Sequence, residues 1–262
     1  MSKRGSSRPV KRRYFCHHGL RLSYLDNACV SDKRPVFMLH GFTASAEINW
    51  LATGWIDQLT RARRRVIALD ARGHGKSDKP YNSSYYPSSV MMEDSIYLMQ
   101  LLDIPRADFI GYSMGARMSA FAAINYPEKV GKLLLGGMGV NLKQGLGHPE
   151  PIADALLATN LQQVKNRSAR RFRRLAELGG NDLTALAHCI LSSRQQITAD
   201  ALAVIRAKTL ILVGANDEMG GNPYVLQTYI GTSQAMEIPD CNHFNALSNV
   251  NFRRSAIDFM LG

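Results

Sequence analysis

Gly111-Tyr112-Ser113-Met114-Gly115 ends an apolar run at residues 107–112 and opens a helix-forming segment at residues 116–125. Gly-x-Ser-x-Gly between a strand and a helix is the pattern of a nucleophile elbow, a sharp turn that leaves the serine hydroxyl exposed. Glycines at 111 and 115 let strand and helix approach closely while the serine takes a strained backbone conformation. The amide end of the helix then lies beneath any negative charge that develops beside the serine.

A serine hydroxyl is a poor nucleophile unless a base, usually a histidine oriented by a carboxylate, takes its proton. Both partners occur downstream. Residues 208–214 (KTLILVG) form a β-branched apolar run that leads into Ala215-Asn216-Asp217, placing Asp217 just past a strand end. Residues 234–239 read as a last strand, and Asp240-Cys241-Asn242-His243-Phe244 follows, placing His243 in the next loop. Glu218 and Asp240 are the rival carboxylates. Of the other histidines, His17, His18, His40 and His74 precede the elbow, whereas His148 and His188 fall in a helical insertion. In open α/β sheets ligands gather beyond the carboxyl ends of the strands, so Ser113, Asp217 and His243 converge on one edge.

Residues 35–40 (PVFMLH) form a further strand, ending in His40-Gly41-Phe42-Thr43. A tetrahedral intermediate needs backbone donors aimed at its oxyanion, and the amides of Phe42 and Met114 are the candidates. With His40-Gly41, Asp70 to Ser77 (DARGHGKS), the elbow, Gly214 to Asp217 and Asn242-His243-Phe244 in this order, the chain resembles the α/β-hydrolase fold superfamily. Within it, the likeness is to the serine esterase, lipase and haloperoxidase-like group, over about residues 14–262. The resemblance implies a Ser113, Asp217 and His243 triad, an acyl-enzyme, and Phe42 and Met114 amides as the oxyanion hole. It also implies that His40 supports the oxyanion loop and that residues 72–77 pack beneath the site. Gly73-x-Gly75-Lys76-Ser77 lacks the spacing of a phosphate loop. Asp94 reads as a solvated helix-face residue.

The 262 residues, 45% of them hydrophobic, suffice for one large α/β domain. Eight strands are predicted, at residues 13–18, 20–26, 35–40, 65–70, 107–112, 132–137, 208–214 and 234–239. Helices are predicted near 55–63, 88–102, 115–125, 223–230 and 250–260. The alternation argues for a mostly parallel sheet with helices on both faces. Residues 139–207 lack a strand pattern and carry helical segments near 151–159, 168–178, 181–191 and 198–206. They are read as a helical cap inserted into a core of residues 14–138 and 208–262. Trp50, Met138 and Leu146 are expected in the substrate pocket, with Phe42, Met114, Ile152, Leu156, Leu157 and Leu186 as further candidates.

The net charge is +11, and six of the positive charges fall within residues 1–13, which hold no acidic residue. That segment reads as a disordered basic arm, with acidic lipid or nucleic acid as the alternative partner. The arginines at 61–65 and 167–174 read as solvated helix faces, with capture of an anionic substrate as the sharper alternative for the second group. Cys16, Cys29, Cys189 and Cys241 have no metal-like spacing and read as free thiols of a reducing compartment, hence a cytoplasmic protein. No apolar run reaches about 18 residues. No cofactor and no metal are expected.

Together these readings predict a serine carboxylic-ester hydrolase acting on small to medium acyl esters, with a small-molecule ester as its partner. The same triad would serve C–C bond hydrolysis or perhydrolase chemistry, although Gly41-Phe42-Thr43 lacks the Gly-Pro-Gly of the C–C hydrolases. A serine at 113 argues against the epoxide and haloalkane hydrolases, which use an aspartate. A ligand-binding protein on the same scaffold is the non-catalytic alternative.

Overall fold

The computed structural model describes residues 9–262. Eight strands form one sheet: β1 (Lys11–His17), β2 (Leu20–Asp26), β3 (Val36–Leu39), β4 (Val66–Leu69), β5 (Ala107–Tyr112), β6 (Val130–Gly136), β7 (Lys208–Gly214) and β8 (Ser233–Ile238). Their spatial order is β1-β2-β4-β3-β5-β6-β7-β8. β2 pairs antiparallel with β1 and β4, and every pairing from β4 to β8 is parallel.

Parallel strands covered on both faces read as continuous apolar runs, yet alternate residues still point opposite ways. Phe37, Phe109, Leu133 and Ile211 therefore join one apolar cluster, with α2 (Ser88–Leu101) and α3 (Met114–Asn125). Met38, Ile110, Leu134 and Leu212 join the other, with α1 (Trp55–Arg61) and α10 (Val250–Leu261).

Between β6 and β7 the chain leaves the sheet for α4 (Asn141–Gln144), α5 (Glu150–Leu157), α6 (Arg167–Leu178), α7 (Leu183–Ser192) and α8 (Ala199–Ala203); α9 (Pro223–Gln227) follows β7. Most of this insertion packs on itself, in a third cluster that includes Ile152, Leu156, Phe172, Leu186 and Ile190. Asparagine and aspartate caps start α6 and α7: Asn166 Oδ1 accepts from the Ala169 amide at 2.9 Å and Asp182 Oδ1 from the Ala185 amide at 2.9 Å.

Several expectations are corrected. β1 begins at Lys11, because Lys11, Arg12 and Arg13 pair with Asp26, Leu25 and Tyr24. Arg12 also reaches the buried Asp70 at 2.7 Å, so these three residues belong to the sheet rather than to an arm. Residues 1–8 of the expected arm lie outside the described residues. Asp94 is buried, not solvated: Arg72 grips it with two hydrogen bonds at 2.6 and 2.8 Å, and His17 bonds it at 2.7 Å. Arg64 is buried against Asp108. Arg173 is buried as well, donating to the carbonyls of Ala155, Leu156 and Ala158 at the C-terminal end of α5. The four cysteines are unbridged. Among the described residues no helix is long and apolar enough to cross a membrane.

Candidate active site

At the end of β5 the backbone turns sharply at Ser113, which sits at φ 53° and ψ −110° before entering α3. The turn is tight because two polypeptide segments nearly touch it. A Cβ on Gly111 would collide with the Gly115 carbonyl and Ser119, and one on Gly115 with the Leu39 carbonyl. The Ser113 amide is anchored on the Gly136 carbonyl at 2.8 Å. Strain at a non-glycine residue, held in place on both sides, aims the hydroxyl upward.

His243 arrives from the loop after β8, and its Nε2 lies 2.9 Å from Ser113 Oγ. Its Nδ1 lies 2.9 and 3.0 Å from the two oxygens of Asp217, in the loop after β7. The Met219 and Gly220 amides donate to Asp217 Oδ1 at 3.1 and 2.8 Å, fixing the carboxylate. Of the three rival carboxylates the structure thus brings Asp217 to the histidine, while Glu218 and Asp240 are exposed. Asn242 shapes the histidine loop by accepting from the Phe244 and Asn245 amides. Tyr112, which sequence reasoning passed over, donates its hydroxyl to the His243 carbonyl at 2.6 Å.

The loop after β3 supplies the other wall. Asn49 Oδ1 accepts from the Gly41 amide at 2.9 Å, and Asn181 of the insertion donates to the Thr43 carbonyl at 2.9 Å. His40 is buried beneath: Nε2 accepts from the Ala71 amide and Nδ1 donates to the Gly41 carbonyl, which fixes its tautomer. Burial lowers its pKa, and it makes no contact with Ser113 that would let it serve as the base. Among the described residues neither the Phe42 nor the Met114 amide donates to a protein acceptor, and both residues border the same cavity as Ser113. Two amides with free hydrogens beside a hydroxyl can receive an oxyanion.

That cavity holds about 410 Å³. Met138 and Leu146 line it, together with Phe42 and Met114. Trp50 does not: it lies in the helical turn Glu47–Leu51, and its indole is wholly buried on the other side, edge-on to Trp55 at 5.4 Å. Ile152, Leu156 and Leu186 pack within the insertion instead, and Leu157 is exposed. The insertion contributes Phe172, Leu175, Leu178 and Ile190, residues that the sequence pattern alone did not separate from core. Phe172 packs on both Phe42 and Phe244 at 5.8 Å, bridging the two loops that carry the candidate site.

Comparison with known proteins fits this geometry. A protein of Escherichia coli O81 (strain ED1a) named 2-hydroxy-6-oxononadienedioate/2-hydroxy-6-oxononatrienedioate hydrolase is 29% identical over 266 residues, covering 89% of each chain. A protein of Bacillus subtilis (strain 168), named as a candidate 2-succinyl-6-hydroxy-2,4-cyclohexadiene-1-carboxylate synthase, is 34% identical over 119 residues, 44% of this chain and 42% of its own length. Among solved structures, a hydrolase from Pseudomonas aeruginosa PA01 superposes with a TM-score of 0.77 at 23% identity, covering 95% of this chain and 98% of its own. The family model for the alpha/beta hydrolase fold matches residues 34–171, more than half of the sequence, and the chain belongs to that family.

Proposed function

We propose that the protein is a serine carboxylic-ester hydrolase that works through an acyl-enzyme on small to medium acyl esters. The observation that carries this reading is the unbroken hydrogen-bond chain from Asp217 through His243 to Ser113 on the wall of a mainly apolar cavity. Ser113 Oγ attacks the ester carbonyl while His243 Nε2 takes its proton. Asp217 holds the Nδ1–H tautomer and stabilises the imidazolium that forms. The Phe42 and Met114 amides take the oxyanion. As the tetrahedral intermediate collapses, His243 gives its proton to the leaving alcohol, and then activates water to release the acid. Residues 139–207 serve as a cap, whose Phe172, Leu175 and Ile190 enclose the acyl chain. A cavity of about 410 Å³ suits short and medium chains better than long ones.

The test is hydrolysis of p-nitrophenyl esters from acetate to palmitate by wild type and Ser113→Ala at matched folding. Turnover of short or medium esters, reduced on the order of a thousandfold or more in the variant, is the expected result. Absence of Ser113-dependent turnover on every ester would remove the reading. The E. coli relative's name favours a second one, hydrolysis of a C–C bond in a dienedioate-type ketone by the same three residues. Gly41-Phe42-Thr43 argues against it, and turnover of such a ketone without ester turnover would establish it.

A further inference from the structure

Arg167, Arg170, Arg171 and Arg174 occupy positions i, i+3, i+4 and i+7 of α6 and so share one face of that helix. They border a second cleft, of about 760 Å³, which His243 and Phe244 also line. None of the four has a salt-bridge partner among the described residues, although like charges at these spacings repel. The buried Arg173, facing elsewhere on the same helix, bonds the carbonyls at the end of α5 and Glu177, the latter at 2.6 Å. The helix thus pairs its inward arginine and leaves the cleft-facing set open. Arg171 lies 3.5 Å above the Phe244 ring, which holds its guanidinium at the lip of the candidate site. Glu218 contributes the cleft's one carboxylate, against four guanidiniums.

The side of the site matters. His243 receives the serine proton and returns it to the leaving group, so the leaving alcohol must lie next to His243 Nε2. Met219, His243 and Phe244 border both cavities, so the basic cleft adjoins the site on the histidine side, where the leaving group departs. We infer that the cleft binds an anionic group of phosphate type carried by the leaving alcohol of the substrate, so that the natural ester is one of a phosphorylated alcohol. This rests on the esterase reading above. Arginine forks match phosphate oxygens in pairs, and a partly enclosed cleft of one sign concentrates such ligands. The overall reaction adds water across the ester bond. The acyl group leaves as the acid, and the phosphorylated alcohol departs with the proton that His243 took from Ser113.

The decisive experiment compares kcat/KM for 4-(phosphonomethyl)phenyl butyrate and the uncharged 4-ethylphenyl butyrate. Wild type should prefer the charged ester by on the order of tenfold in about 20 mM salt, with the preference shrinking in about 500 mM salt. The double variant Arg170→Gln/Arg174→Gln should lose most of that preference. A wild-type ratio at or below one would overturn the inference while leaving the esterase reading intact. If neither ester is turned over in a Ser113-dependent way, the esterase reading fails, and calorimetric titration with inorganic pyrophosphate decides the cleft. Binding that the double variant loses supports an anion site, and no binding overturns it.

Discussion

Tyr112 ties the elbow to the histidine loop through a single bond. Its hydroxyl donates to the His243 carbonyl at 2.6 Å, and its ring leans on the imidazole at 5.4 Å. Burial and the nearby Asp217 push its pKa well above the usual phenol value, so it remains a donor at any working pH. Tyr112→Phe keeps the ring and removes the bond, which should cost about 1 kcal/mol of stability. As a positioning residue it should act on kcat, lowering ester turnover by about tenfold with KM little changed, because His243 alone loses its support. Equal kcat in variant and wild type would show that the loop holds His243 unaided. The catalytic candidates Ser113, Asp217 and His243 were readable one by one because each follows a strand within a short turn. Trp50 was not, since which way its side chain points is set by the helical turn Glu47–Leu51 and by Trp55 rather than by local pattern.

At the level of elements, the strands could be read closely because both sheet faces are covered, leaving long apolar runs with clear ends. β5 and β7 match residue for residue what the sequence predicts. Asp94 escaped because its partner, Arg72, comes from a loop 22 residues away that folds under α2, and a polar residue on a helix gives no sign of such a partner. Arg173 escaped for the same reason. It stitches α6 to α5 by donating through one nitrogen to three carbonyls, at 2.9, 2.7 and 2.9 Å. Arg173→Lys keeps the charge but cannot reproduce the fork, and Arg173→Ala leaves those buried carbonyls with one donor fewer. Each change should destabilise, alanine by about 2–3 kcal/mol and lysine by less, read as a shift of the urea midpoint. Because Phe172 adjoins Arg173 and lines the cavity, the alanine variant should also lose ester turnover before the sheet unfolds. An unchanged midpoint would mean that α5 and α6 hold together through the apolar cluster alone.

The molecule as a whole carries an acid sensitivity located beneath its candidate site. His74 is completely buried, 5.1 Å from His40 and edge-on to Phe42, and its Nδ1 donates to the Arg72 carbonyl while Nε2 has no partner among the described residues. Burial, reinforced by the neighbouring His40, lowers its pKa from 6.5 to about 3. The folded protein therefore keeps this ring neutral at pH values where the unfolded chain would protonate it. With the unfolded state binding the extra proton, stability is full above about pH 6.5 and falls as pH drops towards 3, by about 1.4 kcal/mol per unit from this ring. His40, whose pKa burial also lowers, adds a loss of the same sign. Between pH 7 and pH 5 His74 alone should remove about 2 kcal/mol, a large share of the margin by which a typical domain is folded. His74→Gln has no proton to gain, so whatever it costs at pH 7, its stability should fall less steeply over the same interval. Urea titrations of both proteins at pH 7 and pH 5 measure that difference in slope. Equal slopes would mean that His74 is already accessible to protons in the folded state, and that the packing of Phe42 over it, on which the loop after β3 rests, opens more readily than the static contacts indicate.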